Sequence, residues 1–218
     1  MAIDNPNDRN AQLKLSQAIH SLKTGAETED VLPVLETVLS HLERMTRHDP
    51  LTGALKRSAL VDRLNDELAR SHRTGHTFTV ALIKLDNFQA IMDQHGRSVA
   101  VQVLRKLTDE AQLLLRTLDS FGRTNADEFA IVMPTTWIDQ SVKAITRLKK
   151  TYAVVDWNSI APDLNITFCT GLTTNAQGDS AEVMLERARQ ALVLAQAKGA
   201  DSLSQIEPGL PDFDPDKL

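Results

Sequence analysis

The amino-acid sequence predicts an α/β fold of the α+β kind, with a mixed central sheet of about five strands, flanking helices and N-terminal helices that precede it. Short runs rich in β-branched and aromatic residues, such as "FTVALIKLD" at 78–86, indicate buried strands. The longer segments between these runs repeat their apolar residues at helical spacing. A leading helix followed by the order β-α-β-β-α-β is typical of a ferredoxin-like core, in which helices pack on the sheet.

Length and composition indicate one globular domain with a short accessory segment. The chain has 218 residues, of which 42% are apolar. Its formal net charge of -5 argues against binding to duplex DNA or to an anionic membrane surface, because clustered Lys and Arg hold such partners. Cys169 is the only cysteine, so a disulfide framework and a thiolate metal cluster are excluded. Neither a signal peptide nor a membrane span is predicted, and we expect a cytoplasmic protein.

The N-terminal segment, residues 1–47, is predicted to contain two helices. The first covers residues 9–23, and the second runs through "EDVLPVLETVLSHLERM" with Asp30 as its N-cap. Apolar residues recur in the second helix at alternating spacings of four and three: Val31, Leu35, Val38, Leu42 and Met45. This seam suits a partner helix, which predicts a homodimer or the docking of a partner protein. Packing of the same face on its own domain explains the pattern equally well.

Residues 48–206 are predicted to form the main domain. After the turn "DPLTG", a helix is expected over 55–72. A later helix carries one apolar stripe: Ala100, Leu104, Leu107, Ala111, Leu114 and Leu118. The strands "DSFGRT" and "EFAIVMP" then predict an antiparallel hairpin, followed by a helix over 137–152, the strand "NITFCTGLTT" and a last helix that stops at Gly199. Residues 207–218 are rich in Pro and Asp and are predicted to be disordered.

Four stretches of this domain point to a known family. They are, in chain order, "DPLTGALKR", "LDNFQAIMDQHG", "RTLDSFGRTNADEF" and "ARQALVLAQAKGAD". Together they resemble the bacterial GGDEF domains, whose active members are diguanylate cyclases that make cyclic di-GMP from two molecules of GTP. The resemblance covers roughly residues 47–206 and implies a signature at the hairpin tip, which here consists of Asn125, Ala126, Asp127, Glu128 and Phe129.

The positions that carry catalysis in active members differ in this chain. Lys84 stands where the family has an aspartate that holds Mg²⁺ together with the acid at the position of Asp127. We expect Lys84 to pair with Asp127 or to extend to solvent, and no Mg²⁺ to bind in either case. The remaining departures concern guanine recognition, phosphate contacts and the paired glycines: Met92, Val101, Gln196, Asn125 and Ala126. From these exchanges we expect that the chain is not an enzyme. At Ala126, a left-handed backbone would cost about 1–2 kcal/mol.

The sequence also contains a motif that the resemblance associates with a second site of the family. The resemblance implies an allosteric product site with the motif R-x-x-D five residues before the signature, and Arg116 and Asp119 stand at those positions. Arg147 falls at the matching offset for the arginine that completes the site. Guanidinium groups bind phosphate or guanine bidentately, and a carboxylate accepts from the guanine edge. The alternative is that Arg116 complements the dipole at a helix C-terminus and that Asp119 caps a turn.

These observations lead to three functional hypotheses. The first is a signalling protein that lacks catalysis, binds cyclic di-GMP through Arg116, Asp119 and Arg147, and acts on a partner through its N-terminal helices. The second is an interaction module that binds no nucleotide. The third is residual cyclase activity.

Overall fold

The computed structural model describes residues 13, 16–20, 23 and 28–209. The chain divides into two compact units, Met1–His48 and Asp49–Leu218. Most of the helix predicted over 9–23 and most of the tail predicted over 207–218 lie outside the described residues. The division into 1–47, 48–206 and 207–218 stays a prediction.

In the first unit, helix α1 spans Thr28–Arg47 and begins two residues before the predicted cap Asp30. Two residues of the predicted seam, Val31 and Val38, are buried within the chain. Four large apolar side chains of this helix are exposed: Leu32, Leu39, Leu42 and Met45. The role of α1 in binding a partner stays a prediction.

The second unit is built on a six-stranded mixed sheet. Its strands are β1 (Leu55–Lys56), β2 (Thr79–Leu85), β3 (Ser120–Arg123), β4 (Glu128–Met133), β5 (Phe168–Thr174) and β6 (Leu203–Gln205). They lie in the order β1-β3-β4-β2-β5-β6, with β2 antiparallel to both β4 and β5. The predicted fold class is confirmed, with six strands instead of about five. The two edge strands have only two and three residues, too few to show the alternation by which a strand is predicted.

Helices cover both faces of the sheet. They are α2 (Arg57–Thr74), α3 (Phe88–Leu114), α4 (Ile138–Val154) and α5 (Ala181–Ala197). Because side chains alternate along β2, Ile83 packs in the core beneath α3 and α4, whereas Leu82 packs in the core beneath α2 and α5. The sheet thereby separates two hydrophobic cores, and the loops at its ends are held by well-packed elements.

Helix α3 ends four residues earlier than its apolar stripe predicts. Its last residue is Leu114, and Leu115 already has an extended backbone. Leu118, the predicted end of the stripe, is 64% exposed in the loop that leads to β3. A hydrogen-bonded turn from Arg116 to Asp119 redirects the chain there.

The hairpin of β3 and β4 presents the signature residues at its tip. Phe129 is fully buried and stacks on Phe121 with 5.1 Å between ring centroids, which anchors the base of the hairpin. The Leu85 N–H donates to the Asp127 carbonyl over 3.1 Å. The tip therefore lies beside the end of β2.

Candidate functional site

The first part of the candidate site is the turn that follows α3. The Arg116 N–H donates to Asp119 Oδ2 over 2.8 Å, and the Asp119 N–H donates to the Arg116 carbonyl over 3.0 Å. Asp119 thus caps the turn, as the alternative interpretation of the sequence proposed. Both bonds use backbone atoms of Arg116. The guanidinium of Arg116 is exposed and makes no hydrogen bond or ion pair with any residue in the described part of the chain.

The second part of the site is Arg147, which lies in the middle of α4. Its Nη2 donates to the carbonyl of Leu114, the last residue of α3, over 2.9 Å. This carbonyl has no partner inside its own helix, because the last turn of a helix leaves its carbonyls free. The bond joins residues 33 positions apart and holds Arg147 next to the Arg116–Asp119 turn.

Arg116, Asp119 and Arg147 line one open cleft of about 380 Å³. Leu114 and Leu115, which are partly buried, contribute an apolar surface to it. The structure therefore brings together the three residues that the sequence singled out. Their role in binding a ligand stays a prediction.

The environment of Asp119 affects its protonation. Burial raises the pKa of the Asp119 carboxyl above its usual value, and the Arg116 N–H and the charges of Arg116 and Arg147 offset this only in part. Asp119 is therefore a carboxylate whose charge is incompletely compensated by the protein, and further hydrogen-bond donors in the cleft would stabilise it.

The signature tip is held by Arg123. Its Nε donates to the Asn125 carbonyl over 3.1 Å and its Nη2 to the Ala126 carbonyl over 2.6 Å. Its Nη1 lies 3.2 Å from Asp49 Oδ1 at the start of the domain. The strain expected at Ala126 is absent, since neither Asn125 nor Ala126 has a positive φ. The two residues replace the family's glycines without a left-handed backbone.

Of the two signature acids, Glu128 has a cationic partner, and this partner is not Lys84. In the described part of the chain, no ion pair joins Lys84 to Asp127, so that prediction is wrong. Glu128, which is buried, instead accepts two hydrogen bonds from Arg189 of α5, at 2.9 and 3.3 Å, and one from the Thr124 hydroxyl at 2.8 Å. Lys84 lies opposite Glu128 in the strand register and is partly buried. Arg189, and not Lys84, is thus the cation that binds a carboxylate of the signature.

Asp86 and Glu128, two carboxylates near the end of β2, are already bound by other groups of the chain. Asp86 Oδ2 accepts from the Thr167 hydroxyl at 2.7 Å and from the Asp201 N–H at 2.8 Å. Glu128 is bound to Arg189, and Lys84 supplies a cation where a ligand oxygen is needed. Within the described residues, no three His, Cys, Asp or Glu side chains are arranged to hold a metal ion. That Mg²⁺ does not bind stays a prediction.

The other exchanged positions lie on helices α3 and α5. Met92 is partly buried and packs against the core beneath α3 and α4. Val101 is partly buried on α3, and Gln196 is exposed near the end of α5.

Sequence reasoning missed several residues of the two sites. Arg123 and Arg189 were not singled out: the partner of Arg189 lies on strand β4, and Arg123 binds backbone carbonyls of the tip, which no residue pattern shows. Gln140 lines the cleft and was not singled out either. The spacing of seven residues between Gln140 and Arg147 places both on one side of a helix and was the signal that could have identified it.

None of the helices in the described ranges has the length and apolar content that a bilayer crossing requires.

Comparison with known proteins identifies the family. Residues 46–202 match the family described as "Diguanylate cyclase, GGDEF domain". The chain is 34% identical over 167 residues to diguanylate cyclase DgcP of Pseudomonas aeruginosa, and the match covers 75% of this chain and 25% of DgcP. The chain therefore spans a quarter of the length of that relative.

Two solved structures are similar to this one. The first is diguanylate cyclase SiaD in complex with its activator SiaC from Pseudomonas aeruginosa, with a TM-score of 0.70, 24% identity, and coverage of 92% of this chain and 78% of that chain. This likeness shows the fold. The second is a microbial GGDEF domain described in a novel interaction mode with cyclic di-GMP. Its TM-score is 0.63 at 27% identity, and the match covers 76% of this chain and 99% of that domain.

These comparisons contradict the prediction that the chain is not an enzyme. The relative at 34% identity is itself a diguanylate cyclase, so the exchanges at individual positions do not establish that activity is lost. The tip also adopts an ordinary backbone in spite of the missing glycines, which removes the strain that was part of that prediction. The match over residues 46–202 covers most of the sequence, and the chain belongs to the GGDEF domain family of diguanylate cyclases.

Proposed function

We propose that this GGDEF domain acts in signal transduction by binding cyclic di-GMP in the cleft between α4 and the turn that follows α3. The ligand contacts are Arg116, Asp119 and Arg147. One observation carries the proposal: these three side chains come from two separate elements and converge on a single open cleft.

The chemistry of the cleft supports a guanine nucleotide with phosphodiester groups. The guanidinium of Arg116 is available to bind a phosphate or the acceptor edge of guanine in two parallel hydrogen bonds. Asp119 uses Oδ2 in its turn, and its Oδ1 makes no hydrogen bond within the described chain, so it can accept from guanine N1–H and the amino group. The partly buried side chains of Leu114 and Leu115, which also line the cleft, suit the face of a purine.

The comparisons support the same ligand class. Cyclic di-GMP is the ligand named for the microbial GGDEF domain that is 27% identical to this chain. The complex of SiaD with its activator supports a protein partner for this chain as well, and we assign that role to the exposed apolar face of α1.

Binding in the cleft needs no metal ion. The arginines supply the positive charge that a divalent cation would otherwise bring to the phosphates. We therefore expect the same affinity for cyclic di-GMP in Mg²⁺ and in EDTA.

Isothermal titration of the full chain with cyclic di-GMP tests the proposal. Arg116→Ala is expected to weaken binding at least tenfold, because charged hydrogen bonds contribute about 1.5–3 kcal/mol each. Arg97→Ala, an exposed arginine of α3 outside the cleft, is the matched control and should bind like the unaltered chain. Absence of heat at tens of micromolar ligand, or equal affinities for the Arg116 and Arg97 variants, would remove the proposal.

A further inference from the structure

The cleft extends beyond the three residues of the proposed ligand site. Gln140 and Lys143 line it as well, and they lie before Arg147 on the same side of α4. The seven residues from Gln140 to Arg147 span about 10 Å along the helix axis. Arg116, Asp119 and Arg147 contact only the part of the cleft near the end of α3, so the part near the start of α4 is left for another portion of the ligand.

The net charge of Arg116, Asp119 and Arg147 is smaller in magnitude than the charge of the ligand. With Asp119 ionised, Arg116, Arg147 and Asp119 together carry a net charge of +1, whereas the two phosphodiesters of cyclic di-GMP carry a charge of -2. Lys143 is exposed at the cleft and forms no ion pair with an acid among the residues that the structure describes. Its ammonium raises the net charge of the cleft to +2, which matches the ligand.

Gln140 is an uncharged polar residue that lines the same cleft as Lys143. Its amide is exposed at the cleft and has no hydrogen-bond partner in the described part of the protein. A primary amide both donates and accepts, so it can bind the edge of a base. Ala144, which is partly buried and lines the same cleft one helical turn after Gln140, offers an apolar contact for the face of that base.

We infer that Lys143 and Gln140 form a second half of the ligand site, in which Lys143 binds a phosphodiester and Gln140 binds the edge of a purine. This inference rests on the proposed binding of cyclic di-GMP in the cleft. It assigns part of the binding affinity for cyclic di-GMP to Lys143 and Gln140, which lie outside the R-x-x-D motif and are not its partner arginine.

The two contacts differ in how salt affects them. Salt screens the attraction between a surface ammonium and a phosphate, whereas it does not screen a hydrogen bond between neutral groups. Titration of the full chain with cyclic di-GMP at low and high NaCl therefore separates them. Lys143→Ala is expected to weaken binding about five- to tenfold at low salt, with a smaller loss at high salt. Gln140→Ala is expected to weaken binding about threefold at both salt concentrations.

Two variants control for general effects of charge and side-chain length. Lys150→Ala removes an exposed lysine of the same helix that does not line the cleft, and it should bind like the unaltered chain. Lys143→Arg keeps the charge and should retain the affinity. An unchanged unfolding midpoint for each variant confirms that the protein remains folded.

The outcomes distinguish this inference from the proposed function. If the unaltered chain does not bind cyclic di-GMP, the proposed function fails and this inference fails with it. If the chain binds and Arg116→Ala weakens binding, but the Lys143 and Gln140 variants match Lys150→Ala, only the inference is overturned. A loss for Lys143→Ala that is equal at both salt concentrations overturns the phosphodiester contact.

Discussion

At the scale of residues, two carboxylates in turns have pKa values that shift in opposite directions. Burial acts to raise the pKa of Asp49, but hydrogen bonds from Thr52 and the charge and hydrogen bond of Arg123 outweigh it and lower the pKa. Asp119 also loses solvation on burial, and its partners do not fully compensate, so its pKa is raised. Asp49 thus favours the folded state at neutral pH, whereas ionised Asp119 does not. A residue that is kept at a cost to stability is typical of a binding site.

Replacement of Asp119 by Asn tests this interpretation. Because the folded pKa lies above the unfolded one, Asp119 favours folding only below the unfolded pKa of about 3.9, and that contribution is lost as pH rises through the folded pKa. The free energy of unfolding of Asp119→Asn, relative to that of the unaltered chain, should therefore increase between about pH 4 and pH 7. Urea denaturation across this range measures it, with Asp109→Asn on the exposed face of α3 as control. A difference that does not change with pH contradicts the interpretation.

The opposite behaviour is expected at Asp49. Its pKa is lowered in the folded state, so its stabilisation is present above the unfolded pKa and is lost as pH falls through the folded value. Asp49→Asn should reduce the free energy of unfolding by about 1–2 kcal/mol at pH 7. The reduction should be smaller at pH 3, which lies below the unfolded pKa of about 3.9. Urea denaturation at the two pH values is the measurement, and a loss that is equal at both would show that the ion pair with Arg123 is not its cause.

At the scale of elements, the close contact of α5 with β5 determines where the signature acid finds its partner. Gly171 of β5 faces α5, and a Cβ at this position would lie 2.2 Å from both the Ala188 carbonyl oxygen and the Leu192 nitrogen. Only a glycine allows the helix backbone to approach the strand so closely. This approach places Arg189 within reach of Glu128, which belongs to β4.

Gly171→Ala should therefore displace α5. Backbone atoms cannot move aside as a flexible side chain can, so we expect a loss of about 3 kcal/mol in the free energy of unfolding. Gly209→Ala is a suitable control, since a Cβ at Gly209 meets no atom within 4 Å. Equal unfolding midpoints in urea for the two variants would contradict the packing described for α5.

At the scale of the whole molecule, the sequence predicts a homodimer through the N-terminal helices. This prediction depends on Leu39 and Leu42 of α1, because their apolar side chains are exposed. Burial of apolar area of this kind drives association of helices.

Sedimentation measurements test the dimer. We expect a mass near twice 24.1 kDa at high concentration. The double replacement Leu39→Asp and Leu42→Asp should shift the protein to the mass of one chain, because two carboxylates would be buried in the interface. Ser40→Asp, on an exposed position of the same helix, should have no such effect. A single-chain mass for the unaltered protein at all concentrations removes the prediction.

The fold was largely predictable from the sequence. The apolar spacing of α4 and the short strand run of β2 depend on local backbone geometry, and each was located to within one or two residues. The end of α3 was misplaced, because Leu118 continues the helical spacing although the chain has already turned. Local periodicity cannot show where a tertiary hydrogen bond, such as that from Arg147 to Leu114, makes a helix end favourable.

The sequence alone determined the fold class, the family and the motif residues Arg116, Asp119 and Arg147, because each depends on residue type at a fixed spacing. Tertiary structure alone decided which groups meet. It paired Glu128 with Arg189 across 61 residues and left Lys84 without Asp127 as an ion-pair partner. It also joined Gln140 and Lys143 to the cleft. Such contacts follow from how helices pack on the sheet, and the packing is a property of the folded chain that no local pattern contains.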